Sequence, residues 1–214
     1  MLLSHEHRFI YIKTVKTAGT SVEAALEPYC TDGIVGRRGD GARGAKWFHH
    51  MPARKIRAQL PREVWRGYLK VCNIRNPWDK AVSWFHFRNP ALRGAPRRAA
   101  VAAFRSFVAG TDRLGQDFGK YTLGGRAVVD CYLRHGALAA DVADLCARLA
   151  IAPVPALPRL KAGHRTAGDW TGYYDAASRE AVARAFAPDI AAFDWRFEAA
   201  LPGRLPETGS NRGE

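Results

Sequence analysis

Arg8-Phe-Ile-Tyr-Ile-Lys-Thr-Val15 gathers β-branched and aromatic residues with little polar interruption, the composition of a strand covered on both faces, as in a parallel sheet. It runs directly into Lys16-Thr-Ala-Gly-Thr-Ser21 and then Val22-Glu-Ala-Ala-Leu26, a helix that Pro28 ends and that Thr20 or Ser21 is placed to cap. The same grammar recurs in Gly67-Tyr-Leu-Lys-Val-Cys-Asn-Ile-Arg75, a second strand, with Pro77 at the first position of the helix that follows. Strand, helix, strand, helix in that order predicts an α/β domain built on a parallel sheet with right-handed crossovers.

Between these units, residues 31–48 are Gly- and Arg-rich without period and read as a loop leading to His49-His-Met-Pro52 and a short helix over Ala53–Leu60. On the helix after Pro77, Trp78, Val82 and Phe85 make one apolar stripe. Asn76, Asp79, Lys80 and Ser83 fall on another face, predicted to be open to a ligand. Asn89–Arg98 reads as a loop, Ala99–Ala109 as a helix, and Tyr121–Arg134 as two strands around a Gly124-Gly125 turn. Leu138, Val142, Leu145 and Leu149 give Ala137–Ala150 helical spacing, Pro153–Pro158 breaks the chain, and Asp175–Phe193 is helical. Residues 1–201 are expected to form one domain and 202–214 a disordered, Gly/Pro-rich tail.

A net charge of +13 and a pI near 10.1 attract polyanions of every kind. The basic residues recur from Arg8 to Arg212, with one local cluster at Arg88, Arg93, Arg97 and Arg98. They form no long block interleaved with aromatics, so nucleic acid is not the expected partner. A hydrophobic content of 47% excludes a disordered chain. Cys30, Cys72, Cys131 and Cys146 form no C-x-x-C pair, which indicates neither a disulfide framework nor a zinc site and points to reduced thiols in the cytoplasm. Met1–His7 is too short for a signal peptide, and the most apolar stretches, Ala99–Gly110 and Ala137–Pro153, are too short and too charged to span a bilayer; peripheral membrane contact stays compatible with the charge.

The chemistry is expected at the two strand-to-helix junctions. A small-residue turn before a helix offers backbone N–H groups and the positive end of the helix to an anion. Lys16 adds a cation, Gly19 close backbone approach, and Thr17, Thr20 and Ser21 hydroxyl donors. Lys16 precedes Gly19, so the turn is not a Walker A loop. In Arg75-Asn-Pro-Trp-Asp-Lys-Ala-Val-Ser83, the Arg75 fork and the Ser83 hydroxyl could hold a second phosphate; the alternative is that Arg75 pairs with Asp79 and Ser83 is only surface.

Together the two motifs resemble those of sulfotransferases that use 3′-phosphoadenosine 5′-phosphosulfate, in the carbohydrate-type branch and its bacterial relatives. Phe9–Ser21 is similar to the family's 5′-phosphosulfate loop, with Lys16 at its lysine, and Arg75–Ser83 to its 3′-phosphate motif. Tyr173-Tyr-Asp-Ala-Ala-Ser-Arg-Glu180 and the helix to Phe193 resemble the C-terminal helix of that branch. The resemblance implies a P-loop-like three-layer sandwich with a central parallel sheet flanked by helices. It also implies in-line transfer of a sulfuryl group to a hydroxyl acceptor, expected to be a carbohydrate or glycoconjugate, with adenosine 3′,5′-bisphosphate as product and no metal. Lys16 would stabilise the leaving oxygen, and His50 would take the acceptor proton, with His49 as the alternative base. Lys161 and Arg165 would belong to a basic loop over the cofactor. Lys80 stands where the family more often has arginine, and Gly136 where it often has an acid. A P-loop nucleotide or small-molecule kinase shares the strand, loop, helix grammar and is the rival reading.

Overall fold

The computed structural model describes residues 1–33, 46–158, 160 and 169–206. In chain order its elements are β1 (Leu2–Ser4), β2 (Phe9–Ile12), α1 (Gly19–Leu26), β3 (Asp32–Gly33), α2 (Ala53–Gln59), α3 (Arg62–Gly67) and β4 (Leu69–Ile74). Then come α4 (Pro77–Arg88), α5 (Arg97–Ala109), β5 (Thr122–Leu123), β6 (Arg126–Ala127), β7 (Cys131–Arg134), α6 (Leu138–Arg148), α7 (Ala176–Ala185) and α8 (Ala187–Phe193). No helix among the described residues is long and apolar enough to cross a membrane.

The chain divides into two compact units. The first, Met1–Ile74 with Asp117–Leu160 and Pro206–Glu214, holds the five-stranded sheet, ordered β3-β1-β2-β4-β7. Its centre is parallel, with Tyr11 opposite Val71 and Val71 opposite Cys131. The expected α/β fold with a helix-flanked sheet is present, but the sheet is mixed, because β1 joins β2 antiparallel and β3 joins β1 antiparallel. All four residues of β2 are buried, which explains its unbroken apolar run. On one face Phe9, Tyr11, Val71 and Leu133 pack with Val22 and Leu26 of α1 and Val142, Leu145 and Cys146 of α6. Burial of these side chains contributes roughly 1.5–3 kcal/mol each.

Two strand expectations need correction. The Gly124-Gly125 turn, with φ of +55° and +76°, joins only β5 to β6 in a two-residue hairpin. Cys131–Arg134 leaves that hairpin and pairs with β4 instead, where its two central residues, Tyr132 and Leu133, are buried on opposite faces of the main sheet.

The second unit, Arg75–Gln116 with Lys161–Leu205, is helical. Phe85 and Phe104 meet edge to face at 5.5 Å, Phe104 packs on Tyr173 and Tyr174, and the His86 ring bonds Tyr173 Oη at 2.9 Å. The expected helix over Asp175–Phe193 is two helices, broken where Phe186 leaves helical geometry and Pro188 opens α8. Asp175 and Ser178 cap α7 reciprocally. Gly203 and Arg204 donate backbone bonds to Asp194 and Phe193, so the chain past Pro202 starts bound to the end of α8.

Candidate functional site

In the first unit, the turn between β2 and α1 is built on left-handed residues. Lys16 and Ala18 have φ of +57° and +65°, whereas Thr17 between them does not. Such alternation of hand turns successive backbone N–H groups toward one side, forming an anion-binding concavity at a helix start. Neither left-handed residue is a glycine, and each costs about 1–2 kcal/mol that the surroundings must offset.

Those surroundings are a buried polar network that local sequence reading missed. Thr14 Oγ1 donates to the Asn73 carbonyl at 2.6 Å and lies 2.8 Å from Thr17 Oγ1. Asn73 Nδ2 donates to the Thr17 carbonyl at 3.0 Å, and Asn73 Oδ1 accepts from Tyr11 Oη at 2.6 Å. Burial drives the Tyr11 hydroxyl well above its ordinary pKa, so it stays a donor. The Val15 amide donates to Asp117 Oδ2 at 2.7 Å, and Lys120 Nζ stands 2.8 Å from Asp117 Oδ1. Asn73 inside the Val71–Ile74 part of β4 was the available sequence signal, since a buried amide on an inner strand needs partners.

The turn's expected donors divide by position. Thr17 is buried, and its hydroxyl is engaged with Thr14 inside the turn. Ser21 is buried, with Oγ accepting from the Leu160 amide at 3.2 Å. Neither Thr20 nor Ser21 caps α1. Ala18 is the N-cap, and its carbonyl takes the Ser21 amide at 2.9 Å, because the left-handed Ala18 already closes the turn. Gly19 serves packing: a Cβ there would meet Lys13 Cγ and Tyr11 Oη at 3.0 Å, so glycine lets α1 approach β2 closely. Lys13 and Glu23 form a buried ion pair, which answers the Lys13 charge, and Lys16 in the turn is half-buried.

His50 belongs to the same unit and meets the same segment. Burial, Lys13, Asp117 and Lys120 all bear on its charge, and Nδ1 is buried with no hydrogen-bond partner among the described residues. Burial is the main cause that lowers its pKa to about 4; Asp117 opposes this, and Lys13 and Lys120 add to it. The imidazole is therefore neutral at pH 7. Its backbone is left-handed, with φ of +57°. His49 is half-buried beside it.

Arg75 and Ser83 lie in the second unit. The Arg75 fork grips Asp79, Nε to Oδ2 at 2.6 Å and Nη2 to Oδ1 at 2.9 Å, so the alternative pairing weighed from sequence is realised. The polar face of α4 is not open as expected. Asn76 caps the helix and donates to the Arg196 and Ala199 carbonyls, while buried Lys80 sits 5.7 Å from the Phe186 ring centroid. Ser83 is half-buried on α4. Lys161 and Arg165 lie outside the described residues. Where the resemblance puts Gly136 in place of an acid, Arg134 pairs with Asp141 in the first turn of α6, Nε to Oδ2 at 2.9 Å.

Compared with protein-family models, curated proteins and solved structures, the chain matches none of them.

Proposed function

We propose that this chain is a sulfotransferase, moving a sulfuryl group from 3′-phosphoadenosine 5′-phosphosulfate to a hydroxyl acceptor of carbohydrate type on a P-loop-like scaffold. The observation that carries the reading is the Lys13–Ser21 turn. A lysine-bearing turn of alternating hand at a helix start, with a neutral, mostly buried histidine electrostatically coupled to its first residue, suits an anionic donor and a proton-losing acceptor.

The residues present fit that donor at the turn, where Thr17 and Gly19 contribute backbone N–H groups and the orphaned His50 Nδ1 is a ready proton acceptor. When bound, the donor supplies a sulfuryl group carried on a phosphate leaving group. Lys16 offsets the charge that grows on the departing oxygen, an interaction stronger in the transition state than in the ground state. His50 would take the acceptor hydroxyl proton at Nδ1. In this reading Arg75 and Ser83 hold the 3′-phosphate, and Lys161 and Arg165 supply positive charge for the nucleotide's phosphates.

Calorimetry tests the reading. Adenosine 3′,5′-bisphosphate should bind in EDTA and ATP far more weakly, and a donor-consumption assay across sugars, lipids and phenols should find a hydroxyl acceptor. Tighter binding of ATP in magnesium would replace the reading with the kinase alternative.

A further inference from the structure

The stretch from Lys80 to Thr111 contains six Lys and Arg residues and no Asp or Glu. In the second unit it folds as the end of α4, a compact turn over Pro90–Leu92, and the start of α5. Arg88, Arg93, Arg97 and Arg98 are all exposed. Arg97 is tied down, donating to the Asp169 carbonyl at 2.6 Å and lying over the Tyr173 ring. Arg97 and Arg98 occupy the first turn of α5 with no acid in that turn, a placement that works against the helix dipole.

Among these cations stands Phe87, the one exposed large aromatic among the described residues, at 47%. Its ring lies 5.7 Å from that of Trp84, whose Nε1 donates to the Arg113 carbonyl at 3.0 Å and whose face Arg88 covers at 5.9 Å. Trp84 is thus a fixed base against which the half-exposed Phe87 ring packs. A soluble polyanion rewards the arginines but gains nothing from an exposed benzyl group; an anionic lipid surface rewards both.

We propose that the Trp84–Arg98 surface docks this protein on anionic lipid headgroups, with Arg88, Arg93 and Arg98 facing the phosphates and Phe87 entering the acyl boundary. The proposal is independent of the transfer chemistry at the Lys16 turn.

Co-sedimentation of the full chain with vesicles tests it. Phosphatidylcholine vesicles containing phosphatidylserine should carry the protein down, and pure phosphatidylcholine should not. Phe87→Ser should lower the partition coefficient about tenfold, and Arg93→Ser and Arg98→Ser roughly fivefold each. Phe87→Trp should keep binding and add emission that shifts blue on the vesicles, with thermal unfolding of every variant matching the parent. Absence of binding to the acidic vesicles overturns the proposal. Binding that Phe87→Ser leaves unchanged and that a soluble acidic polysaccharide displaces also overturns it, and makes the patch a polyanion site.

Discussion

Asn73 Nδ2 donates to the Thr17 carbonyl at 3.0 Å while Asn73 Oδ1 accepts from Tyr11 Oη at 2.6 Å, so one amide on β4 joins the strand before the turn to the turn itself. Replacing Asn73 with Ala leaves the Tyr11 hydroxyl and the Thr17 carbonyl buried without these partners. A stability loss of about 1–3 kcal/mol per orphaned group is expected from urea unfolding, with weaker binding of adenosine 3′,5′-bisphosphate beyond it. Unchanged nucleotide affinity in a folded Asn73→Ala protein would separate the network from the site.

Lys16→Ala should lower turnover by a larger factor than it raises the dissociation constant of the product nucleotide, because its contribution grows as the leaving oxygen gains charge. Steady-state kinetics set beside calorimetry read the two factors, and equal factors would remove Lys16 from the transition state.

Arg75 has a structural partner in Asp79, so truncation exposes two effects at once. Arg75→Lys retains the charge but loses the fork. Affinity for nucleotides bearing a 3′-phosphate should fall by about 1.5–3 kcal/mol, and affinity for those without it should hardly change. If both fall together, the Asp79 pairing is the whole role of Arg75.

The pH dependence of His50 has a definite sign. Its folded pKa, about 4, lies below the value of about 6.5 in an unfolded chain. Between these the unfolded state binds more protons, so stability is full above pH 6.5 and is lost as the pH falls toward 4, by up to about 3 kcal/mol. His50→Asn tolerates the left-handed backbone and takes no proton, so its unfolding free energy should lose this slope while transfer is lost. The acidic limb of the wild-type rate profile should lie near pH 4, below the ordinary histidine range. A limb near pH 6.5, or a dead His49→Ala beside an active His50→Asn, would move the base elsewhere.

Gly19→Ala should cost about 1–3 kcal/mol, because the new methyl would press on Lys13 Cγ and Tyr11 Oη at 3.0 Å. Circular dichroism melts give the loss; a neutral substitution would mean α1 can slide from β2.

The strands β2 and β4 and the helices after them were legible, since their apolar runs, Pro77 and the small-residue turn are local signals. β1 was not, because three residues carry no readable period. The membership of β7 in the main sheet was hidden for another reason: pairing with β4 spans some sixty residues, and the Gly-Gly turn advertised a nearer partner. The polar face of α4 misled because a helix pattern shows which residues share a face, not what covers it. Asn76 and Lys80 are covered by residues from 186 to 199. Around the turn, Lys16 and His50 drew notice by residue type and position alone, whereas Thr14, Asn73 and Asp117 became significant only through their bonds.

The left-handed Lys16 and Ala18 also fix when disorder is removed. A turn shaped only on meeting its ligand loses backbone freedom at that moment, and its binding entropy carries the loss. Here the Asn73, Thr14 and Asp117 bonds hold the turn's shape in the folded chain itself, with no ligand needed to impose it. Capture at this turn should leave amide hydrogen exchange in residues 13–21 nearly unchanged, the signature of a rigid receptor rather than a closing one.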